Sequence, residues 1–275
     1  MNSSHKLILN DGHTIPQLGL GVWRASPQDT VVAVREALLA GYRHVDTASI
    51  YGNEEGVGAG LRESGVPRDL VFVTTKIWSD AHGKDNVRPA LQKSLQRLKL
   101  DNVDLLLIHW PIPQKNQFVE TWQAMIELRR EGLARSIGVS NFATAHLQRM
   151  VDETGVPPVI NQIELHPYMQ QREMRETHNR LGILTEAWSP LAQNLALADA
   201  EIKRIAEKHD KTTAQVIIRW HLDNQFVVIP KSVTPSRIRS NLDVFDFTLD
   251  ADDMASIATL NRDQRLGPNP ETFGE

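Results

Sequence analysis

Four side chains in the first half of the sequence could together move a proton. Asp46 and Tyr51 lie in the segment HVDTASIYGNE, whereas Lys76 and His109 each follow a short apolar run. An isolated tyrosine has a pKa near 10 and is a poor acid at neutral pH. A lysine ammonium about 4 Å away, at an effective dielectric near 20, would favour the phenolate by roughly 4 kcal/mol. This corresponds to about three pKa units before desolvation opposes it.

The aspartate and the histidine complete this set of groups. An aspartate beside the lysine would keep the ammonium charged, since a buried ammonium otherwise tends to lose its proton. A neutral histidine could orient a carbonyl group and stabilise its oxygen as negative charge develops. The four groups therefore suit protonation of an oxyanion, with Tyr51 as a general acid near pH 7. That step accompanies hydride delivery to a carbonyl carbon.

A repeating unit of one short strand and one helix must position these residues. Short apolar runs typical of buried parallel strands alternate with amphipathic segments such as TVVAVREALLAG, where Gly41 is expected to form the C-cap. This alternation implies a parallel sheet with right-handed crossovers. The eight predicted strands comprise residues 19–21, 43–46, 71–75, 103–108, 136–139, 159–163, 183–187 and 226–229.

Eight units of about 30 residues predict an α/β fold, a (β/α)8 TIM barrel. The opening LILNDGHTIP predicts an additional N-terminal β-hairpin with a turn at Asp11-Gly12, which could plug one end of the barrel. Two extra helices are predicted near residues 199–209 and 251–260. The sequence has no Ser/Gly linker and no break in composition, so residues 1–275 are expected to form a single domain.

A doubly wound Rossmann sheet is the alternative fold. It requires a G-x-G-x-x-G turn directly after an early strand. The nearest segment, GVGAGL at residues 56–61, has leucine at the last glycine position and lies within a helical pattern. We interpret these glycines as allowing helices to pack closely, and the barrel remains the predicted fold.

Polar and aromatic residues end or follow seven of the predicted strands. Active sites of (β/α)8 barrels lie at the C-terminal ends of the strands. Such a convergence on one rim indicates a functional site, because a purely structural barrel has no need of it. The residues are Asp46, Lys76, His109, Trp110, Ser140, Asn141, Gln162, Glu164, Trp188 and Lys231.

Composition excludes several classes of function. A net charge of −4 argues against a nucleic-acid partner, which requires a basic face. Without cysteine there is no disulfide, no thiol nucleophile and no thiolate metal site. The ten histidines are scattered singly, which disfavours a metal-dependent barrel hydrolase. No signal peptide and no apolar run of about 18 residues is found, so we expect a cytoplasmic protein without a membrane partner.

Over nearly its whole length the sequence resembles the aldo-keto reductase family. The motifs that carry the resemblance occur in the family's order and spacing: LGLGVW, GYRHVDTASIYGNEEGVG, TTKIW, VDLLLIHWP, SIGVSN, NQIELHP, WSPLAQ and IPKSVTPSRI. The resemblance implies a catalytic tetrad of Asp46, Tyr51, Lys76 and His109, in which Tyr51 donates the proton and Asp46 anchors the lysine.

The resemblance also implies that NADPH binds in an extended form across the barrel rim. Ser140, Asn141 and Gln162 would hold the nicotinamide carboxamide, and Trp188 would stack on the ring. The other implied contacts are Ser189, Leu191 and Gln193 along the pyrophosphate, and Lys231, Ser232, Val233, Arg237 and Asn241 around the adenosine 2′-phosphate and adenine.

The segment KSVTPSRI is typical of an anion site even without the resemblance. A lysine and an arginine flank a predicted helix N-terminus, with Thr234 or Ser236 available as caps. We therefore expect NADPH to be preferred over NADH. Two positions depart from the commonest family pattern: Trp188 replaces a tyrosine, and Ser240 replaces a glutamate, so that one adenine contact is expected to be missing.

The expected substrate pocket has apolar walls formed by Trp23, Trp78 and Trp110, whereas Trp122 and Trp220 are expected in the core. The short loop PIPQKNQF and the short tail NRDQRLGPNPETFGE predict an open pocket suited to small polar carbonyls. WSPLAQ, HPYMQQRE and RLGPNP are most similar to bacterial 2,5-diketo-D-gluconate reductases. This similarity implies a substrate range of 2,5-diketo-D-gluconate, methylglyoxal and β-keto esters.

A catalytically silent, NADPH-binding regulatory barrel is the alternative function. Potassium-channel β subunits, which resemble the same superfamily, act in this way. The intact tetrad and the lack of a partner-binding extension favour the enzyme. The resemblance to family members of this size implies a monomer.

Overall fold

A ring of eight parallel strands forms the centre of the computed structural model, which describes residues 5–274. Neighbouring strands follow chain order, and parallel bridges from Leu18 to Val228 and from Gly21 to Lys231 join the first to the last strand. The strands are β1 (Lys6–Ile8), β2 (Thr14–Pro16), β3 (Leu20–Gly21), β4 (His44–Asp46), β5 (Phe72–Ile77), β6 (Val103–Ile108), β7 (Ala134–Ser140), β8 (Ile160–Glu164), β9 (Leu184–Trp188) and β10 (Val227–Val228).

Helices connect consecutive strands of the ring, with two between β9 and β10. The (β/α)8 barrel is therefore confirmed, and so are the extra helices, which are α7 and α10. The helices are α1 (Pro27–Ala40), α2 (Glu54–Glu63), α3 (Val87–Leu98), α4 (Phe118–Arg130), α5 (Thr144–Thr154), α6 (Arg172–Leu181), α7 (Ala200–His209), α8 (Thr213–Asp223), α9 (Pro235–Leu242) and α10 (Ala251–Ala258). None of the helices described within residues 5–274 is long and apolar enough to cross a membrane.

Local sequence signals define the ends of the helices. The Ser26 hydroxyl caps α1 by accepting a hydrogen bond from the Asp29 amide, and Pro27 occupies the first turn. Gly41 ends the helix in the left-handed region at φ 118°, as its position in the sequence predicts.

The glycines of α2 allow close packing of helices, which confirms their interpretation from the sequence. A Cβ atom added at Gly56 would lie 2.5 Å from the Pro27 carbonyl oxygen of α1. A Cβ atom at Gly58 would overlap the Leu98 carbonyl group of α3. The contacts therefore require glycine for steric reasons, and no phosphate turn is formed here.

Residues of the barrel strands alternate between the barrel interior and the helices. In β6, Leu105 and Leu107 point inward, whereas Leu106 and Ile108 pack against the helical layer. The β1–β2 hairpin covers one end of the ring, which we call the hairpin end, and the opposite end is the rim. The hairpin is confirmed as a plug, because its Leu9 and Ile15 join the inner apolar cluster, which also contains Phe72, Leu105, Leu107, Val159, Ile160 and Val227.

The strand predicted at residues 71–75 ends too early compared with β5. The strand continues to Ile77, so Lys76 lies within it and is fully buried. An apolar run alone does not predict a lysine inside a strand, since burial of an ammonium is costly without a partner. Trp122 and Trp220 are buried, as expected for core residues.

Candidate active site

A cavity of about 670 Å³ opens at the rim, where the strands end. It brings together residues that the sequence places more than 200 positions apart. The predicted site residues that line it are Trp23, Asp46, Tyr51, Trp78, His109, Trp110, Ser140, Asn141, Gln162, Trp188, Ser189, Gln193 and Lys231.

A second cavity, of about 780 Å³, lies at the hairpin end. Its lining includes Lys6, His13, Arg43 and Arg135, and none of the predicted site residues. The larger volume therefore does not mark the site, and the chemistry-bearing groups gather at the rim instead.

A buried ion pair lies beneath the rim cavity, which Asp46 lines and Lys76 does not. Lys76 Nζ lies 2.6 Å from Asp46 Oδ1 and also donates to the Thr47 carbonyl oxygen at 2.9 Å. The Gln162 amide donates to the other Asp46 oxygen at 2.9 Å. Burial acts to lower the pKa of Lys76, but Asp46, followed by Tyr51, outweighs it and raises the pKa above its usual value. The ammonium is therefore held charged, as expected from the sequence.

Tyr51 ends a short 3₁₀ turn, Ser49–Tyr51, directly after β4. Lys76 Nζ lies 5.2 Å from the centroid of its ring. Burial raises the pKa of Tyr51, and this effect outweighs the lowering by Lys76. The prediction of a pKa near neutrality is therefore wrong for this structure, because desolvation exceeds the Coulombic effect of the ammonium. The phenol keeps its proton at neutral pH.

His109 follows β6 and contacts two other aromatic residues of the cavity. Its ring centroid lies 5.6 Å from that of Tyr51 and 5.0 Å from that of Trp78. Burial, with a contribution from Lys76, lowers the pKa of His109 well below its usual value. The imidazole is therefore neutral at pH 7, as expected, and can donate one hydrogen bond without carrying charge.

Hydrogen bonds within the protein fix the predicted nicotinamide side of the cavity. Asn141, at φ 61°, donates to the His109 carbonyl oxygen and to Ser140 Oγ, and accepts from Trp188 Nε1 at 2.8 Å. The indole N–H thus sets the orientation of the Trp188 ring. The Gln162 backbone carbonyl oxygen accepts hydrogen bonds from the Asn141 backbone amide at 2.9 Å and from the Ser140 hydroxyl at 2.8 Å, and the residue lines the cavity.

The loop after β9 runs along the cavity in an unusual backbone conformation. Ser189 and Gln193 line the cavity and have φ values of 49° and 51°. Such left-handed conformations are uncommon for residues other than glycine and often occur near ligand sites. Leu191, which is predicted to contact the same ligand, does not line this cavity.

The predicted adenosine end lies beside the cavity. Lys231 lines it, but Ser232, Val233, Arg237 and Asn241 do not. Arg237 is exposed, and it forms no ion pair with any residue in the range 5–274. It precedes Asn241 by four residues in α9, so both lie on one helix face.

The cap of α9 differs from the prediction. Thr234 occupies the N-cap position, but its side chain makes no capping hydrogen bond. Instead the Ser232 hydroxyl accepts a hydrogen bond from the Thr234 amide at 3.2 Å. In the described chain the N-terminus of α9 therefore lacks a capping bond from Thr234, and it lies next to Lys231 in sequence.

The C-terminal tail lines the cavity, although its short length predicted an open pocket. The ring centroid of Phe273 lies 4.2 Å from that of Trp110 and 6.1 Å from that of Trp78. Its position shows that the pocket has an aromatic cover. The tail residues that line the cavity are Leu266, Gly267, Pro268 and Phe273.

Arg24 also lines the cavity and was not predicted from the sequence. Its guanidinium lies 4.2 Å from the centroid of the Trp23 ring, and it has no ion-pair partner in the described chain. The available signal was a basic residue directly after the strand segment LGLGVW. With Lys231 it gives the cavity two uncompensated cations, which suit a phosphate-bearing ligand.

The fold and the site together define a (β/α)8 barrel with a rim cavity that Asp46, Tyr51 and His109 line. The model of the aldo/keto reductase family matches residues 16–262. Over 265 residues the chain is 55% identical to an aldo-keto reductase from Mycobacterium sp. (strain KMS). The match covers 96% of each chain. Over 268 residues it is 54% identical to the methylglyoxal reductase DkgA of Escherichia coli (strain K12), covering 97% of each.

Solved structures give the same result. An aldo/keto reductase from Brucella melitensis superposes with a TM-score of 0.91 at 54% identity, covering 94% of this chain and all of the other. A point mutant of Gox0644 in complex with NADPH superposes with a TM-score of 0.96 at 50% identity, covering all of both chains. The chain therefore belongs to the aldo/keto reductase family.

Proposed function

We propose that this protein is an NADPH-dependent reductase of small aldehydes and ketones, with Tyr51 as the general acid. The observation that carries the proposal is the buried Asp46–Lys76 pair, 2.6 Å apart, beneath a cavity that Asp46, Tyr51 and His109 line. In this proposal Tyr51 is the proton donor, Lys76 stabilises the developing charge, and His109 is the neutral hydrogen-bond donor. Its membership of the aldo/keto reductase family supports the same reaction.

Each residue of the tetrad has a distinct role in this proposal. Tyr51 gives its proton to the carbonyl oxygen of the substrate, and the Lys76 ammonium stabilises the phenolate that remains. Asp46 keeps Lys76 protonated and in place. His109, as a neutral imidazole, orients the carbonyl group.

The cavity fits NADPH, which the related Gox0644 structure contains. When bound, this cofactor supplies the hydride. Trp188, fixed by Asn141, offers an aromatic face for the nicotinamide ring, and Ser140, Asn141 and Gln162 hold its carboxamide. The other residues proposed to hold the cofactor are Ser189, Leu191, Gln193, Lys231, Ser232, Val233, Arg237 and Asn241.

Small dicarbonyls and keto compounds are the proposed substrates. The pocket is bounded by Trp23, Trp78, Trp110 and Phe273, which leaves an apolar slot above the polar floor. The name of the Escherichia coli relative supports methylglyoxal. We include 2,5-diketo-D-gluconate and β-keto esters in the range, and propose that residues 1–275 act as one monomeric domain.

The decisive experiment follows NADPH absorbance with methylglyoxal, 2,5-diketo-D-gluconate and a β-keto ester for the wild type and for Tyr51→Phe. Loss of a general acid lowers kcat by about 10²- to 10⁴-fold. NADPH affinity, measured by fluorescence titration, is expected to stay within about twofold. Turnover retained in the variant would remove Tyr51 as the acid. A wild type that binds NADPH and reduces no carbonyl would indicate a silent regulatory barrel.

A second experiment tests the cofactor preference through Arg237→Ala. A charged hydrogen bond to phosphate contributes about 1.5–3 kcal/mol, so kcat/KM for NADPH should fall by at least about tenfold. The value for NADH should not change, because that cofactor has no 2′-phosphate. The matched control is Arg239→Ala, an arginine of the same helix that pairs with Glu36 at 3.2 Å. Equal losses with both cofactors would contradict this assignment.

A further inference from the structure

The Glu164 carboxylate binds the backbone of the C-terminal tail. It ends β8 at the rim and is 1% exposed. Its two oxygens accept hydrogen bonds from the Leu266 amide at 2.6 Å and from the Gly267 amide at 3.0 Å. The contact thus joins one barrel strand to a segment about a hundred residues later.

A histidine and an arginine side chain also lie beside this carboxylate. His166 Nε2 lies 3.1 Å from one oxygen, and Arg265 Nη1 lies 3.7 Å from the other. Burial acts to raise the pKa of Glu164, but the hydrogen bonds from His166 and the two amides lower it overall. Three of the four partners belong to the tail, so an undocked tail would leave a buried anion with little compensation.

The segment held by Glu164 lies directly against Trp188. A Cβ atom added at Gly267 would overlap the outer edge of the Trp188 indole and would lie 3.2 Å from Glu164 Oε2. Only glycine therefore allows the backbone to approach both groups. Six residues later, Phe273 packs against Trp110 and completes the cover of the pocket.

We propose that Glu164 is a positioning residue that holds residues 265–273 against the rim and thereby restricts the pocket to small carbonyl substrates. The proposal rests on the proposed reductase function. Glu164 contacts the tail and does not line the cavity, so it acts through the position of Gly267 and Phe273. Releasing the tail removes one wall of the pocket and leaves the Asp46–Lys76 pair unchanged.

The variant Glu164→Gln tests this with little change in volume. A glutamine oxygen can accept from one amide, but its NH2 group faces the other, so one charge-assisted hydrogen bond is lost. Hydrogen exchange at the amides of Leu266 and Gly267 is expected to become at least about tenfold faster. The matched control is Glu207→Gln, an exposed glutamate of α7, which should leave this exchange unchanged.

Steady-state kinetics test the effect on substrates. In Glu164→Gln, the KM for methylglyoxal is expected to rise about tenfold with kcat within about threefold, and a bulky aromatic aldehyde should lose less or gain. In the Phe273→Ala background, where the cover is already absent, Glu164→Gln should change KM by less than about twofold. If Glu164→Gln changed KM equally in the wild-type and Phe273→Ala backgrounds, its role would be merely structural and the proposal would be overturned. A fall in kcat without a change in KM would also overturn it.

Failure of the reductase function and failure of this inference give different results. A wild type that reduces no carbonyl removes the function, and the inference is then decided by exchange at Leu266 and Gly267. Unchanged exchange in Glu164→Gln overturns it in either case. Faster exchange with an unchanged KM also overturns it, since the tail would then be released without consequence for the pocket.

Discussion

The hairpin end and the rim end of the barrel interior are built from the same strands but have opposite polarity. In β5, Phe72 points inward near the hairpin, and Lys76 points inward near the rim. In β8, Ile160 and Gln162 make the same change within two residues. Full burial of each large apolar side chain contributes about 1.5–3 kcal/mol, whereas burial of a charge costs free energy unless it is paired. The hairpin end therefore supplies stability, and the rim carries the chemistry.

Two titratable residues lie at the border between these ends. Glu186 Oε1 is 3.9 Å from His44 Nε2, and neither Glu186 oxygen has a hydrogen-bond partner within residues 5–274. Burial, with Asp46 adding to it, raises the pKa of Glu186 to about 8. Burial lowers the pKa of His44 to about 3. Both side chains are therefore predominantly neutral at pH 7. They form an uncharged polar layer between the charged rim and the apolar cluster.

The largest effect is expected from breaking the ion pair at the rim. Lys76→Met leaves the Asp46 carboxylate buried and unpaired, which should lower the free energy of unfolding by about 3–5 kcal/mol and abolish turnover. Urea unfolding and the NADPH assay measure the two effects. The double variant Lys76→Met/Asp46→Asn removes the unpaired charge and should recover stability but no activity. A single variant as stable as the wild type would contradict the cost assigned to the unpaired carboxylate.

A substitution that removes apolar volume at the hairpin end should affect stability alone. Ile15→Ala is expected to lower the free energy of unfolding by about 2–5 kcal/mol, because Ile15 of the hairpin is fully buried in the inner apolar cluster. For the fraction that remains folded, kcat/KM should be unchanged. Leu195→Ala, at a side chain that is 52% exposed, is the control and should cost less than about 0.5 kcal/mol. A large loss of kcat/KM in Ile15→Ala would show that the two ends do not act independently.

A smaller, pH-dependent effect is expected at the border. The pKa of Glu186 is raised on folding, so ionisation favours the unfolded chain and this residue lowers stability as pH rises from about 4.5 to 8. Glu186→Gln removes that penalty, which amounts to about 1.4 kcal/mol for each unit of pKa shift. The variant should therefore gain stability over the wild type between pH 5 and pH 8 in urea unfolding. A difference independent of pH would contradict the raised pKa.

The sequence was sufficient for the features that depend on periodicity. The alternation of strands and helices predicted the barrel, and the rule that sites lie at strand ends predicted which residues gather at the rim. The raised pKa of Tyr51 was not predictable, because desolvation depends on how many groups surround the phenol. The cap of α9 also depends on geometry, since Ser232 and Thr234 are equally able to accept a hydrogen bond.

The position of the tail was hidden for another reason. Glu164 binds it through the backbone amides of Leu266 and Gly267, and every residue except proline has such an amide. No side-chain pattern therefore indicates the contact. One signal in the sequence was Phe273, the single aromatic residue of the segment 261–275.

The path of the tail has a practical consequence for handling the protein. Phe273 packs on Trp110 at the mouth of the cavity, so a purification tag or surface tether added after the tail would begin beside the pocket. A tether attached ahead of β1 would instead leave from the hairpin end, on the opposite face of the barrel. Immobilisation through the N-terminal side is therefore expected to keep the rim open to solution. A C-terminal tag is expected to change the measured kinetics.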